Sequence, residues 1–243
     1  MKQEINIQRF HNGQLDAVRD SVVVERNMEL VVNGGDRLFI AMAPEDMEAF
    51  TVGYLMTSGL LDRLEDLREV RIHDGQIHVT LERVKPVNRS LPTASTGLAL
   101  LESLKEKSPF AKRNIPDLPA LPALFEEFNR QSVVFRQTGG VHSAALSDGT
   151  GVSFFTEDIG RHNALDKTIG KALLAGVELE DYFLLTSGRV SGEITKKCYF
   201  AGVPTIVSHS APTSMALERA AQFNMTIIGF LRGQRFNIYT PMD

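Results

Sequence analysis

Between Thr156 and Asp166 the chain reads Thr-Glu-Asp-Ile-Gly-Arg-His-Asn-Ala-Leu-Asp, crowding Glu157, Asp158, Arg161, His162, Asn163 and Asp166 around one glycine. A helical pattern follows at once, with Leu165, Ile169, Ala172 and Leu173 on one face and Gly176 closing it. The polar cluster thus lies where a loop becomes a helix. Free first-turn N–H groups and the helix dipole favour an anion at such a place. The same residues also suit an ordinary cap with a surface ion pair, and the stretch alone does not separate the two readings.

Further groups recur later, each time directly after a short apolar run. Ser187-Gly188-Arg189-Val190-Ser191 follows Tyr182 to Thr186. His209-Ser210-Ala211-Pro212-Thr213 follows Pro204 to Ser208, and Leu231-Arg232-Gly233-Gln234-Arg235 follows Met225 to Phe230. With His142, Arg161 and His162 they offer hydroxyls, helix starts and several arginines, the chemistry of a phosphate or pyrophosphate crevice. Ser191 and Ser210 are also spaced to cap the helices that follow them, a role compatible with binding. Ser187, His162 and Asp166 would furnish a Ser–His–Asp set, although nothing in their spacing fixes its geometry. The zinc-deaminase signature, His-Glu-x-x-His, Gly-x-Ser-x-Gly and the P-loop are all absent from the chain.

The elements that must hold these groups alternate. Strand-type runs at 182–186, 204–208 and 225–230 are separated by helices of about ten residues, which predicts an α/β fold with a parallel sheet. Ligands of open α/β sheets lie at the carboxyl ends of the strands, where all three loops would emerge. Upstream, Val133-Val134-Phe135 and Ser143 to Leu146 read as strands, and Asp148-Gly149 turns the chain into a further strand over 151–155. The first half is richer in short β runs, at 22–24, 28–32 and 38–42, preceded by about ten polar residues expected to be irregular or an edge strand. Pro44-Glu45-Asp46 opens a helix that Gly59 ends. Asp74-Gly75 joins two alternating runs, a hairpin signal. His73 and His78 in those runs are expected to be surface or packing residues. Residues 82–97 carry no apolar period and read as a mobile loop. Helical patterns follow near 98–105 and 121–131. The organisation expected is a β-rich region over 1–97 with the loop at its end, a helical connector over 98–131 and an α/β cofactor-binding domain over 132–243.

Composition narrows the classes. The formal charge of -4 weighs against a general nucleic-acid binder, and no apolar run approaches a membrane span or the core of a signal peptide. A cytoplasmic protein is expected. One cysteine, Cys198, rules out an internal disulfide and any multi-cysteine metal site. It shares a helical face with Ile194 and Ala201, the setting of a packed core thiol.

Taken in order, Thr138-Gly139-Gly140-Val141-His142, Glu157 through Lys167, Ser187 through Ser191, Ser210-Ala211-Pro212-Thr213-Ser214 and Gly229 through Gly233 resemble the FdhD/NarQ family, the formate dehydrogenase accessory proteins. The resemblance runs from the Pro44 helix to Tyr239. It implies a C-terminal domain of cytidine-deaminase-like α/β/α fold without the zinc, a smaller β-rich α+β N-terminal domain, and a homodimer. It also implies sulfur carriage. Members take sulfur from a cysteine desulfurase as a persulfide and pass it to molybdenum bis(molybdopterin guanine dinucleotide) destined for formate dehydrogenase. The family's cofactor contact falls on Phe230, Leu231, Arg232, Gly233, Gln234 and Arg235, with His142, Arg161, His162, Asp166, Ser187, Arg189 and Ser210 as further candidates. The family's Cys-x-x-Cys aligns with Thr93 and Thr96, and a hydroxyl cannot carry a persulfide. The expectation is therefore a maturation protein that binds and delivers the cofactor without an intact sulfur site. The alternatives are sulfur transfer through another thiol, or a phosphate-ester hydrolase using His162 and Asp166.

Overall fold

The computed structural model describes residues 1–35, 37–83 and 108–240. Thr93, Thr96, positions 84–97 of the loop expected over 82–97 and the helical pattern near 98–105 lie outside them.

Three sheets form. Strands β1 (Lys2–His11) and β2 (Gln14–Val23) pair as a long antiparallel hairpin closed by Asn12 and Gly13, both at positive φ. Of the two readings expected for the start of the chain, irregular or an edge strand, β1 is the edge strand. The strands are mostly exposed on both faces, so they lack the one-sided alternation by which a strand is read from sequence.

The second sheet has four strands in the order β4-β3-β6-β5: β3 (Arg26–Val32), β4 (Arg37–Met42), β5 (Leu67–His73) and β6 (Gln76–Leu81). The β5–β6 hairpin turns at Asp74-Gly75, as the sequence predicts. Helix α1 (Met47–Thr57) packs Phe50, Tyr54 and Leu55 onto Met28, Leu30, Ile77 and Val79 of this sheet. Gly59 follows α1 at φ 70.

The third sheet has six strands in the order β12-β11-β10-β9-β7-β8. They are β7 (His142–Ser147), β8 (Ser153–Asp158), β9 (Phe183–Thr186), β10 (Thr205–Ser208), β11 (Thr226–Arg232) and β12 (Arg235–Ile238). Strands β9, β10 and β11 are parallel. The sheet as a whole is mixed, because β7 runs antiparallel to both β8 and β9, and β12 antiparallel to β11. The expected parallel sheet holds only for its centre.

Alternation decides the layers. Leu184, Ile206 and Ile227 face one side, with α4 (Arg161–Leu174), α5 (Gly192–Ala201) and α6 (Ser214–Phe223). Leu185, Val207 and Ile228 face the other, under Leu121, Leu124, Phe125 and Phe128 of α2 (Leu121–Gln131). Central strands buried on both sides are apolar throughout, as α/β packing requires. Val133–Thr138 is the short helix α3 rather than a strand. The Glu157 carboxylate accepts hydrogen bonds from Val134 N at 2.9 Å and Phe135 N at 2.8 Å, satisfying first-turn donors and overriding the β-branched run.

The two larger sheets are joined through α1 and α4. A Cβ on Gly53 would meet the Asp166 carbonyl oxygen at 1.8 Å, and one on Gly170 would meet that of Ala49 at 1.7 Å. Among the described residues no helix is long and apolar enough to cross a membrane.

Candidate functional site at one edge of the large sheet

Because β9, β10 and β11 are parallel, their carboxyl ends at Thr186, Ser208 and Arg232 share one edge. Strand β7 runs the other way and begins there with His142, which pairs with Asp158 at the end of β8. The segments singled out in the sequence therefore meet along a single line, and side chains lace them together. Ser187 Oγ accepts from Ser143 N at 3.0 Å and lies 3.4 Å from His142 Nδ1. Ser210 Oγ donates to the Ser187 carbonyl at 2.9 Å, and Ser208 Oγ to that of Gly188 at 2.7 Å. Ser191 caps α5 as expected, but α6 is capped by Thr213, so Ser210 is a loop tie rather than a cap.

The start of α4 is occupied from within. Asp158 Oδ1 accepts from Gly160 N and Asn163 Nδ2, both at 2.9 Å. Its Oδ2 accepts from Ala43 N at 3.1 Å and pairs with Lys167 Nζ at 2.7 Å. Both charged side chains are 0% exposed. The anion favoured at this helix start is the protein's own carboxylate. Asp166 is likewise engaged, its oxygens 2.7 and 2.9 Å from Lys197 Nζ and one of them 2.6 Å from Thr57 Oγ1. Burial pushes the Asp166 carboxyl up, against the pull of Lys197 and Thr57. Asp166 therefore serves the joint between α1, α4 and α5. The imagined Ser187–His162–Asp166 set does not form, since Ser187 faces His142 and His162 lies against Glu193.

The free cationic chemistry lies beside these clasps. The Arg161 stem passes over Gly188, where a Cβ would meet Arg161 Cβ at 2.9 Å, and its Nε is buried without a hydrogen-bond partner. Burial lowers the Arg161 pKa, and Arg189 lowers it further against the opposing pull of Glu193. Burial also lowers the His142 pKa, reinforced by Arg161, His162 and Arg189 and opposed by Asp158. The Arg161 and Arg189 guanidinium groups repel one another here, and an anion between them would relieve that repulsion.

At the far end of the edge, β11 and β12 close a hairpin over Arg232–Arg235 with Gly233 at φ 56. This segment, read from sequence as a loop, is the tip of a strand pair. Phe230 has φ 54 at an irregularity in the pairing, a conformation unfavourable for a bulky residue. Its N–H donates to the Ser210 carbonyl at 3.1 Å, and the Arg232 guanidinium lies 5.8 Å over its ring. Arg232, Gly233, Gln234 and Arg235 are exposed, whereas the Leu231 side chain is buried in the core beneath α2. His209 stacks on Phe125 with centroids 6.2 Å apart; burial and Arg232 lower its pKa, against a hydrogen bond to the Leu231 backbone.

Cys198 is 0% exposed in the core between α4, α5 and α6, and burial, with Asp166, pushes its thiol up. It lacks both the access and the thiolate character that sulfur chemistry needs. Glu193 was not singled out in the sequence. Its only signal there is that of an acid in the first turn of a helix. Burial would raise its carboxyl, but the His162 contact, with Lys197 and Arg161, outweighs burial and holds it low.

The family model described as the FdhD/NarQ family matches residues 23–243. The chain is similar to two proteins named Sulfur carrier protein FdhD. That of Bacillus subtilis (strain 168) is 30% identical over 97% of this chain and 94% of the relative. That of Listeria monocytogenes serotype 4b (strain F2365) is 34% identical over 98% and 96%. Among solved structures, a protein described as a formate dehydrogenase accessory protein, from Desulfotalea psychrophila, superposes with a TM-score of 0.83. It is 24% identical, with 100% of this chain and 98% of that one covered.

Proposed function

The chain belongs to the FdhD/NarQ family, and from that premise we propose that it is a formate dehydrogenase maturation protein that binds molybdenum bis(molybdopterin guanine dinucleotide) as cargo without carrying sulfur itself. The cytidine-deaminase-like assignment of its larger domain, the pairing of two copies and a cytoplasmic setting belong to the same reading. Formate dehydrogenase is the client. A thiol-bearing protein supplied by a cysteine desulfurase performs the sulfur step.

One observation carries the separation of binding from sulfur carriage: the lone cysteine is sealed in the core, while the cationic edge is open. The residues present suit the cargo. Arg161 and Arg189 beside His142 and Ser187 answer a diphosphate, and Phe230 with Arg232 offers a ring face and a guanidinium to a nucleotide. Hydrolysis has no comparable support, because the carboxylate it would use is tied to Lys197.

Calorimetry with GDP as a fragment of the cargo should show saturable binding, weakened about tenfold by Arg232→Ala, the usual worth of one charge-assisted contact. Absence of binding by both GDP and the whole cofactor would refute the proposal.

A further inference from the structure

His209 follows β10 in the chain and stands among the polar groups singled out in the sequence, yet the cargo reading makes no use of it. The loops after β9 and β10 form one body. His209 N donates to the Thr186 carbonyl at 3.1 Å, Val190 N to that of Ala211 at 3.1 Å, and Thr213 N to that of Val190 at 2.9 Å. This body carries Ser187 and Arg189. Phe230 and Arg232 belong to a different element, the tip of β11, and the β10–β11 ladder ends short of them at Val207 and Ile228.

Past the ladder, the tip is held from residues 209 and 210. The Ser210 carbonyl accepts from Phe230 N at 3.1 Å, and the His209 ring hydrogen-bonds the Leu231 backbone. The backbones press together there, since a Cβ on Gly229 would meet the Ser210 carbonyl oxygen at 3.0 Å. His209 is itself braced, its ring stacked on that of Phe125 of α2 at 13°. Phe230 at φ 54 needs such bracing, because a bulky residue keeps a left-handed conformation only where its surroundings over-determine it. Without the brace the bulge would relax and carry the Phe230 ring and the Arg232 guanidinium away with it.

We propose that His209 is a positioning residue: braced on Phe125 and bonded to Leu231, it fixes the Phe230–Arg232 tip at a set span from Ser187 and Arg189, so that the edge selects a diphosphate joined to a nucleoside over free pyrophosphate. This role presupposes the cargo reading above and sets the spacing of its two ends. Two linked groups gain on one only when their sites stand at the span the linker allows. A displaced tip therefore costs the joined ligand and leaves the free diphosphate untouched.

The test titrates the full chain and its variants with GDP and with pyrophosphate by calorimetry. His209→Phe keeps a ring on Phe125 and removes the hydrogen bond, whereas His209→Gln keeps an N–H donor. GDP should bind the unaltered chain at least about tenfold more tightly than pyrophosphate does. His209→Phe should weaken GDP about fivefold to tenfold, the worth of one hydrogen bond, and move pyrophosphate by less than about twofold. It should also speed hydrogen exchange of the Phe230 amide, and His209→Gln should restore most of the GDP affinity. Equal binding of GDP and pyrophosphate, an equal loss of both in His209→Phe, or no loss of either overturns the proposal. GDP binding that falls with Arg232→Ala but not with His209→Phe removes the positioning role and spares the maturation reading. Faster amide exchange in His209→Phe, with no binding of GDP or of the whole cofactor by the unaltered chain, leaves His209 a structural brace alone and refutes both.

Discussion

Gly53 of α1 and Gly170 of α4 let two helix backbones touch: each stands where an added Cβ would fall within 2 Å of a carbonyl oxygen of the other helix, 1.8 Å for Gly53 and 1.7 Å for Gly170. No side-chain rearrangement can make room, because the opposing atoms are backbone.

Gly170→Ala is therefore expected to destabilise the protein by about 3 kcal/mol or more, at the upper end of overpacking effects. For a chain of this size that corresponds to a melting temperature lower by roughly 6–12 °C. A thermal or urea melt checks it, and an unchanged midpoint would show that the helices separate easily.

Lys167→Met should cost about 3–5 kcal/mol, because it leaves the Asp158 carboxylate buried and uncompensated. Replacing both residues, as Asp158→Asn with Lys167→Met, should recover part of the loss. The comparison of the three urea midpoints separates the charge from the packing.

His142 carries a pH prediction. Its folded-state pKa lies below the ordinary 6.5, chiefly through burial and then through Arg161. Below that ordinary value the unfolded chain takes up a proton that the folded chain resists, so this residue makes stability fall as the pH drops. A bound anion reverses the local penalty. Binding of GDP or pyrophosphate should therefore take up protons and strengthen from pH 8 to pH 6. Calorimetry in buffers of different ionisation enthalpy reads the proton uptake, and His142→Asn should abolish that part of it.

Cys198 should ignore thiol reagents in the native protein and react with one equivalent after unfolding. Incubated with a cysteine desulfurase and labelled cysteine, the native chain should acquire no persulfide detectable by mass spectrometry. Persulfide on Cys198 would return sulfur carriage to this chain.

Much of this architecture can be read from local pattern. The helices ending at Gly59, Gly176, Gly202 and Asn224 all close on a residue at positive φ, and the three glycines and the asparagine sit where periodicity stops. The Asp74-Gly75 hairpin and the buried runs of β9, β10 and β11 were equally plain. What local pattern missed depends on distant partners. Val133 to Phe135 became helical because Glu157, more than twenty residues away, accepts from its first N–H groups. Arg235–Ile238 became a strand because β11 offers an edge for pairing. Asp166 read as a candidate ligand group and Asp158 as part of the polar cluster, yet they are claimed by Lys197 and Lys167, and only tertiary packing brings those lysines to them. Glu193 gained its place for the same reason, through His162 of a neighbouring helix.

The sealing of Cys198 leaves this chain with a chemically quiet exterior, since the sequence holds no second thiol to compete. A cysteine introduced at Thr93 or Thr96 would meet no competition from the sealed Cys198 thiol. Any sulfur, spectroscopic label or crosslink that then appears reports on that position alone, with no background to subtract.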